Sequence, residues 1–207
     1  MLQIWLEHLR AHGIGEVLIN THWHATKIHS FLDEWRSDEM NVVHCYEPTL
    51  LGTAGTLLAN RQWLDNGEPF FILYGDMLTN VDLWKMMRFH TMHGLPFTLS
   101  VFKAIHPKHC GVAEIDSNDT VIGFEEKPAH PKSELAAAGM YIANPEIFDA
   151  FQDVEQSKGE QLDLGFHIIP GLVGRMKAYL IREFLVDIGT QESYRLAEAL
   201  WPGRCDP

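Results

Sequence analysis

Residues 69–74, Pro-Phe-Phe-Ile-Leu-Tyr, form an uncharged apolar run that stops abruptly at Gly75-Asp76. A strand without polar alternation has both faces covered, the usual situation in a sheet sandwiched between helices. The segments before it fit that setting. Leu2, Trp5, Leu6 and Leu9 recur at helical spacing, and Gly13 and Gly15 close that helix. Glu16–Asn20 reads as a short buried strand, Ala25–Trp35 as an amphipathic helix and Val42–Tyr46 as a strand. A loop with two glycines, Leu51–Gly55, opens a helix through Trp63. Strand and helix in alternation imply right-handed crossovers and a mainly parallel mixed sheet, an α/β three-layer fold of Rossmann-like type.

Downstream, Leu83–His93 reads as a helix and Phe97–Phe102 as a strand. Gly111–Asp116 and Val121–Phe124 read as a hairpin around Ser117-Asn118-Asp119. Gly139–Ala143 is expected as a strand, Pro145–Phe151 as a short helix, and Leu162–Leu172 as helical up to Pro170 at most. Ala178–Val186 reads as one long strand and Gln191–Leu200 as the closing helix. Nothing marks a second domain: one domain is expected over residues 1–200, with a frayed tail at 201–207.

Charge narrows the partners. The chain carries 28 acids against 16 bases, a formal net charge of −12, which argues against a nucleic-acid surface. A phosphorylated substrate remains compatible, because a few carboxylates can hold one through a metal. The three cysteines, Cys45, Cys110 and Cys205, form no CxxC pair, so a reducing cytoplasm is the expected location. Glu7 and His8 interrupt the N-terminus where a leader would be apolar, and no stretch approaches a membrane span.

Four constellations carry chemistry. Asp76 follows a buried strand through Gly75, at the carboxyl edge where open α/β sheets bind ligands. It reads as a metal ligand or as a turn cap. Asp187 has the same grammar, a long apolar strand followed by Asp187-Ile188-Gly189. If the two strands are neighbours, Asp76 and Asp187 share one divalent cation that neutralises phosphate charge. Glu125-Glu126-Lys127-Pro128 ends another strand, where Pro128 is expected to press Lys127 into an extended conformation. It reads either as a phosphate-binding lysine beside a sugar-binding carboxylate or as a solvated charged turn. The small residues Gly52, Thr53, Ala54 and Gly55 allow a base or ribose close to the backbone, or else make a simple turn with Thr53 as cap.

Together, LGTAGTL at 51–57, LYGDMLTNVDL at 73–83, GVAEID at 111–116, FEEKP at 124–128, AAGMYIANPEIF at 137–148 and LVDIGTQESYRLA at 185–197 resemble the sugar-1-phosphate nucleotidyltransferases. The likeness leans toward the mannose-1-phosphate guanylyltransferase branch and its heptose-1-phosphate relatives. It implies transfer of a nucleotidyl group from an NTP, with GTP preferred, to a sugar 1-phosphate, and Mg²⁺ as cofactor. It further implies Asp76 and Asp187 as metal ligands and, with Lys127, as the catalytic set. Gly52, Thr53, Ala54, Gly55 and Gly75 would form the nucleotide loop, and Gly111, Glu126, Lys127 and Gly139 the sugar-phosphate contacts. A homo-oligomer is among the assemblies the resemblance allows.

One departure is large. The family's GxGTRL signature and PKP-type lysine segment occur nowhere in the 207 residues, and the helix at Leu2–Leu9 matches the family's helix downstream of them. The resemblance therefore implies an N-terminally incomplete domain without its first strand, with impaired activity. A non-catalytic sugar-phosphate- or nucleotide-binding or regulatory subunit of the same fold is the alternative. The twelve histidines show no zinc spacing and read as surface or loop residues, with His22 and His24 at strand-like spacing; the six tryptophans read as packing.

Overall fold

The computed structural model describes residues 1–152, 154 and 161–203, so residues 204–207 of the expected tail, with Cys205, lie outside the described residues. The first helix, α1 (Leu2–Ala11), buries Trp5, Leu6, His8 and Leu9 on one face. Then follow β1 (Glu16–Thr21), α2 (Ala25–Glu34), β2 (Asn41–Tyr46), α3 (Thr53–Ala59), a four-residue turn of helix α4 (Arg61–Leu64) and β3 (Phe70–Leu73). Next come β4 (Met77–Thr79), α5 (Leu83–His93), β5 (Phe97–Lys103), β6 (Gly111–Ile115), β7 (Val121–Glu126) and β8 (Leu135–Ala143). The chain closes with β9 (Met176–Leu180), β10 (Leu185–Asp187) and α6 (Gln191–Leu200). Between β8 and β9 lie 3-10 turns at Pro145–Phe151 and Ile169–Leu172 and a π-helical turn at Leu164–Ile168.

Local chemistry explains the boundaries. Asp82 caps α5 by accepting from the Lys85 N–H at 2.9 Å, and left-handed Gly94 ends it. Thr190 and Ser193 form a capping box that starts α6. The β6–β7 turn is held by the Asp116 side chain, which accepts from the Asn118 and Thr120 N–H groups.

The central sheet has six strands, ordered β7-β6-β8-β5-β9, with β3 also paired to β8. Strand β8 is its axis. It runs antiparallel to β5 on one side and to β3 and β6 in succession on the other. Strands β3, β5, β6 and β9 therefore point the same way, but β8 is inserted among them, so the hydrogen-bonded pairs are mostly antiparallel. The α/β class is the expected one; the parallel pairs are β5–β9 here and β1–β2 in a separate two-stranded sheet. Side-chain alternation along β8 makes the layers. Tyr141 and Ala143 enter a core with Phe97, Leu99, Phe148, Leu164 and Ile168, while Met140 and Ile142 enter another with Trp5, Leu6, Leu83 and Met86. Among the described residues no strand joins β1 to β3, although Val17 and Ile19 of β1 pack on the same core as Phe71 and Leu73 of β3.

Several expectations are corrected. Ala178–Val186 is two strands, not one. The chain leaves the sheet after Ile181, whose N–H reaches Val101 O, and the Phe184 N–H is taken by Asn80 Oδ1 before β10 pairs antiparallel with β4. The helix expected through Trp63 breaks at Asn60, whose side chain donates to Thr56 O and so competes with the helical backbone. His22 and His24 lie beyond the end of β1, with His24 at φ 55 opening α2. His8, His12 and His90 are buried rather than at the surface: His8 Nε2 lies 2.8 Å from Val81 O, His12 Nδ1 2.8 Å from His8 O, and both ring nitrogens of His90 have partners in Thr98 and Asn144. Trp23 and Trp84 are exposed rather than core residues.

Candidate active site

The two strand-end aspartates come together. Strand β10 pairs with β4 in a register that sets Asp187 opposite Met77, and the Ile188 N–H donates to Asp76 O at 2.9 Å. Neither acid caps a helix: Asp82 and Thr190 do that work nearby, while Asp187 Oδ1 accepts from the Gly189 N–H at 2.7 Å. Asp76 stands at an exposed position on the strand edge. Protein packed around its carboxyl group and, second, the charge of Asp187 both raise its pKa. Two like charges held this way are a poor arrangement alone and a good one around a cation. The residues present therefore fit a divalent metal that shares the pair. Among the described residues no group of three or more His, Cys, Asp or Glu side chains is arranged to hold a metal, so any further ligands would come from water and substrate oxygens.

The third motif borders the same place. β7 ends at Glu126, and the Lys127 N–H donates to Cys110 O at 3.0 Å, so β6 and β7 stay joined one residue past the strand. Lys127 is not extended as expected: its φ is 51, a left-handed backbone that satisfies this bond and turns the chain ahead of Pro128. Burial first and the charge of Asp163 second push the Glu126 pKa up, against Lys127. The Cys110 thiol is raised by burial and then by Glu126 and Asp187, with Lys127 opposing, so Asp187 and the Glu126–Lys127 end both act on this one group. Gly111 gives the room: a Cβ there would sit 2.5 Å from Glu126 Oε2 and from Phe124 Cζ.

The glycine loop is built differently from the sequence expectation. Its close approach is to protein backbone. The Ala54 and Gly55 N–H groups both donate to Leu162 O, at 2.9 and 3.1 Å, and the Leu162 N–H returns a bond to Leu51 O at 2.9 Å. Gly52, at φ 83 and ψ 165, lies against Leu162 C at 2.9 Å and N at 3.0 Å from where a Cβ would stand. Thr53 is not a helix cap. Its hydroxyl donates to Asp163 Oδ2 at 3.1 Å and accepts from the Leu164 N–H at 2.8 Å. Gly75 has open space around it, and Gly139, at φ 67, leaves its Cβ position to Met77 and Tyr74.

Sequence reasoning overlooked three residues here. Asp163 has the look of an ordinary cap, and its Oδ1 does accept from the Gly165 and Phe166 N–H groups. Glu47 is a 2% exposed carboxylate that accepts from Asn20 Nδ2, the Leu51 N–H and Thr56 Oγ1 at 3.2, 3.2 and 2.6 Å. Tyr74 lies between Thr53 and Tyr141 with its pKa pushed up to about 12, chiefly by burial. A glycine two positions after Asp163 was a usable signal; a lone Glu ahead of a proline was not.

The profile of the nucleotidyl transferase family matches residues 1–201 of this chain. The chain belongs to that family. Mannose-1-phosphate guanylyltransferase 1 of Arabidopsis thaliana is 31% identical over 193 residues, which cover 91% of this chain and 52% of the relative. The mannose-1-phosphate guanylyltransferase catalytic subunit beta of Dictyostelium discoideum is 28% identical with the same coverage. A glucose-1-phosphate adenylyltransferase of Clostridium acetobutylicum is 29% identical over 163 residues, or 75% of this chain and 41% of the relative. This nucleotidyl transferase chain thus spans about half the length of the guanylyltransferases it matches. Its fold is that of a putative glucose-1-phosphate thymidylyltransferase from Bacillus anthracis, solved with a sucrose, at a TM-score of 0.84 and 22% identity over 96% of this chain and 80% of that one. HddC from Yersinia pseudotuberculosis superposes at 0.76, with 20% identity over 95% and 83% of the two chains. No helix among the described residues is long and apolar enough to cross a membrane.

Proposed function

We propose that this chain carries the site at which a sugar 1-phosphate and an NTP are joined to an NDP-sugar, with GTP as the preferred donor and Mg²⁺ as the metal. A phosphate oxygen of the sugar phosphate attacks the α-phosphorus, a new P–O bond forms, and the bond to the β-phosphate oxygen breaks to release pyrophosphate. The observation that carries this reading is the adjacency of Asp76 and Asp187, two strand-end carboxylates from opposite halves of the chain tied across one ladder. A divalent cation between them would neutralise phosphate charge and orient the reacting groups. Lys127 holds the incoming phosphate, and Glu126, half-buried beside it, takes the sugar hydroxyls. The 51–55 loop faces the nucleotide, with its shape set by Leu162. The guanylyltransferase relatives support GTP.

Pyrophosphate release measured with a panel of NTPs and sugar 1-phosphates tests this. Turnover is expected with Mg²⁺, fastest with GTP, and lost in Asp76→Ala and in Asp187→Ala. Mg²⁺-dependent turnover that survives either change sinks the assignment. Ligand binding without any pyrophosphate release makes the chain a binding module of the same fold.

A further inference from the structure

The Leu164–Ile168 turn and the residues that lead into it stand between the two halves of the candidate site. On one side the Leu162 carbonyl holds the Ala54 and Gly55 amides, and Asp163 Oδ2 holds the Thr53 hydroxyl. On the other side Gly165 lies against Glu126: a Cβ at Gly165 would be 2.8 Å from the Glu126 Cδ and closer still to Oε2. Asp163 is the hub. One oxygen fixes its own turn through the Gly165 and Phe166 amides, and the other reaches out of the turn to Thr53. Thr53 answers by accepting from the Leu164 N–H. Insertion of a π-type turn into a helical segment often marks a functional place, because its widened ladder re-aims backbone groups.

We propose that Asp163 is a positioning residue: through Thr53 it fixes the 51–55 loop against the Glu126–Lys127 end of β7, and so sets the spacing between bound nucleotide and bound sugar phosphate. This rests on the reading of the site as a nucleotidyl transferase centre. The carboxylate acts through Thr53 and touches no substrate. Positioned groups matter in phosphoryl transfer because small displacements of the reacting partners cost rate steeply.

The test uses Asp163→Asn, Thr53→Val, their double variant and Gly165→Ala. Asp163→Asn keeps the cap on Gly165 and Phe166 but sets an amide where the Thr53 proton was accepted. The KM for the NTP is expected to rise about tenfold, the worth of one hydrogen bond to a charged group, with the sugar-phosphate KM unchanged. Thr53→Val, which also removes the acceptor of the Leu164 N–H, should raise the NTP KM at least as much, and the double variant no more than Thr53→Val alone, since the Asp163–Thr53 bond can be lost only once. Gly165→Ala, which presses on Glu126, should raise the sugar-phosphate KM instead. A rise in the sugar-phosphate KM on Asp163→Asn, equal rises in both constants, or additive effects at 53 and 163 overturn the proposal. A second arm needs no turnover. Amide exchange at Ala54 and Gly55 is expected to quicken about tenfold in Asp163→Asn, and unchanged protection there overturns the proposal even if the parent chain joins no NTP to any sugar phosphate.

Discussion

Replacement of Gly52 by alanine puts the loop to its severest test. Gly52 has φ 83 and ψ 165, a backbone region that is essentially glycine-only and costs other residues about 1–3 kcal/mol. The new Cβ would also stand 2.9 Å from Leu162 C and 3.0 Å from Leu162 N, so Leu162 must retreat. Its retreat weakens three hydrogen bonds, those to Ala54 and Gly55 and the one to Leu51 O, each worth about 0.5–1.5 kcal/mol net. Lost in full and added to the backbone penalty, these come to about 2.5–7.5 kcal/mol. For a domain of this length that is roughly 5–30 °C in Tm. Gly94→Ala is the control: its φ is 65 and nothing lies within 4 Å, so only the backbone penalty applies, about 1–2 kcal/mol. Thermal and urea unfolding of both variants and the parent decide the matter. Should Gly52→Ala unfold no earlier than Gly94→Ala, the Leu162 contact is not what requires glycine, and the loop's shape must be set by something else.

Asp76→Asn addresses the carboxylate pair. A carboxyl whose folded pKa is raised opposes folding once ionised: stability falls as pH rises from the unfolded carboxylate range through the folded value, and stays lower above it. Without divalent cation the variant is therefore expected to be more stable than the parent at pH 7, with the difference gone below about pH 3, as read from urea midpoints; Mg²⁺ should raise the Tm of the parent and leave that of the variant. Lys127→Gly relieves a positive φ and is expected to fold at least as stably, yet to lose turnover by on the order of 10²–10³, measured as pyrophosphate release. His93, held down to about 4 first by burial, stays neutral while the unfolded chain protonates near 6.5. Its contribution is present above that value and is lost as pH falls toward about 4, so His93→Gln should flatten the acid limb of the stability profile between those pH values.

Much of this was written in plain residues. The run at 69–74 supplies β3 of the central sheet because its apolar side chains pack into both cores, and the acids stand at strand ends, Asp76 after that run and Gly75, Asp187 as the last residue of β10 ahead of Gly189. The break at 181–184 was hidden: Leu180, Ile181, Phe184 and Leu185 look like continuous strand, and only the tertiary partners Val101 and Asn80 divide them. Gly52 to Gly55 were legible as a tight approach, but not what approaches, since Leu162 lies far along the chain and offers a backbone carbonyl that any residue carries. Lys127 illustrates the opposite failure. The local rule for a residue before proline gave way to one long-range bond to Cys110.

The β4–β10 ladder also fixes when this chain can become competent. Once β9 and Ile181 have left the ribosome, every strand of the six-stranded sheet is available to pair, with Asp76 already at its edge. The acid then waits, unpartnered and easier to ionise, until a three-residue strand and the turn after it emerge from the exit tunnel. If the pair holds a divalent cation as proposed, closure of the sheet and retention of that ion are separate events in synthesis, and a polypeptide cut after Ile181 should form the sheet without retaining the ion.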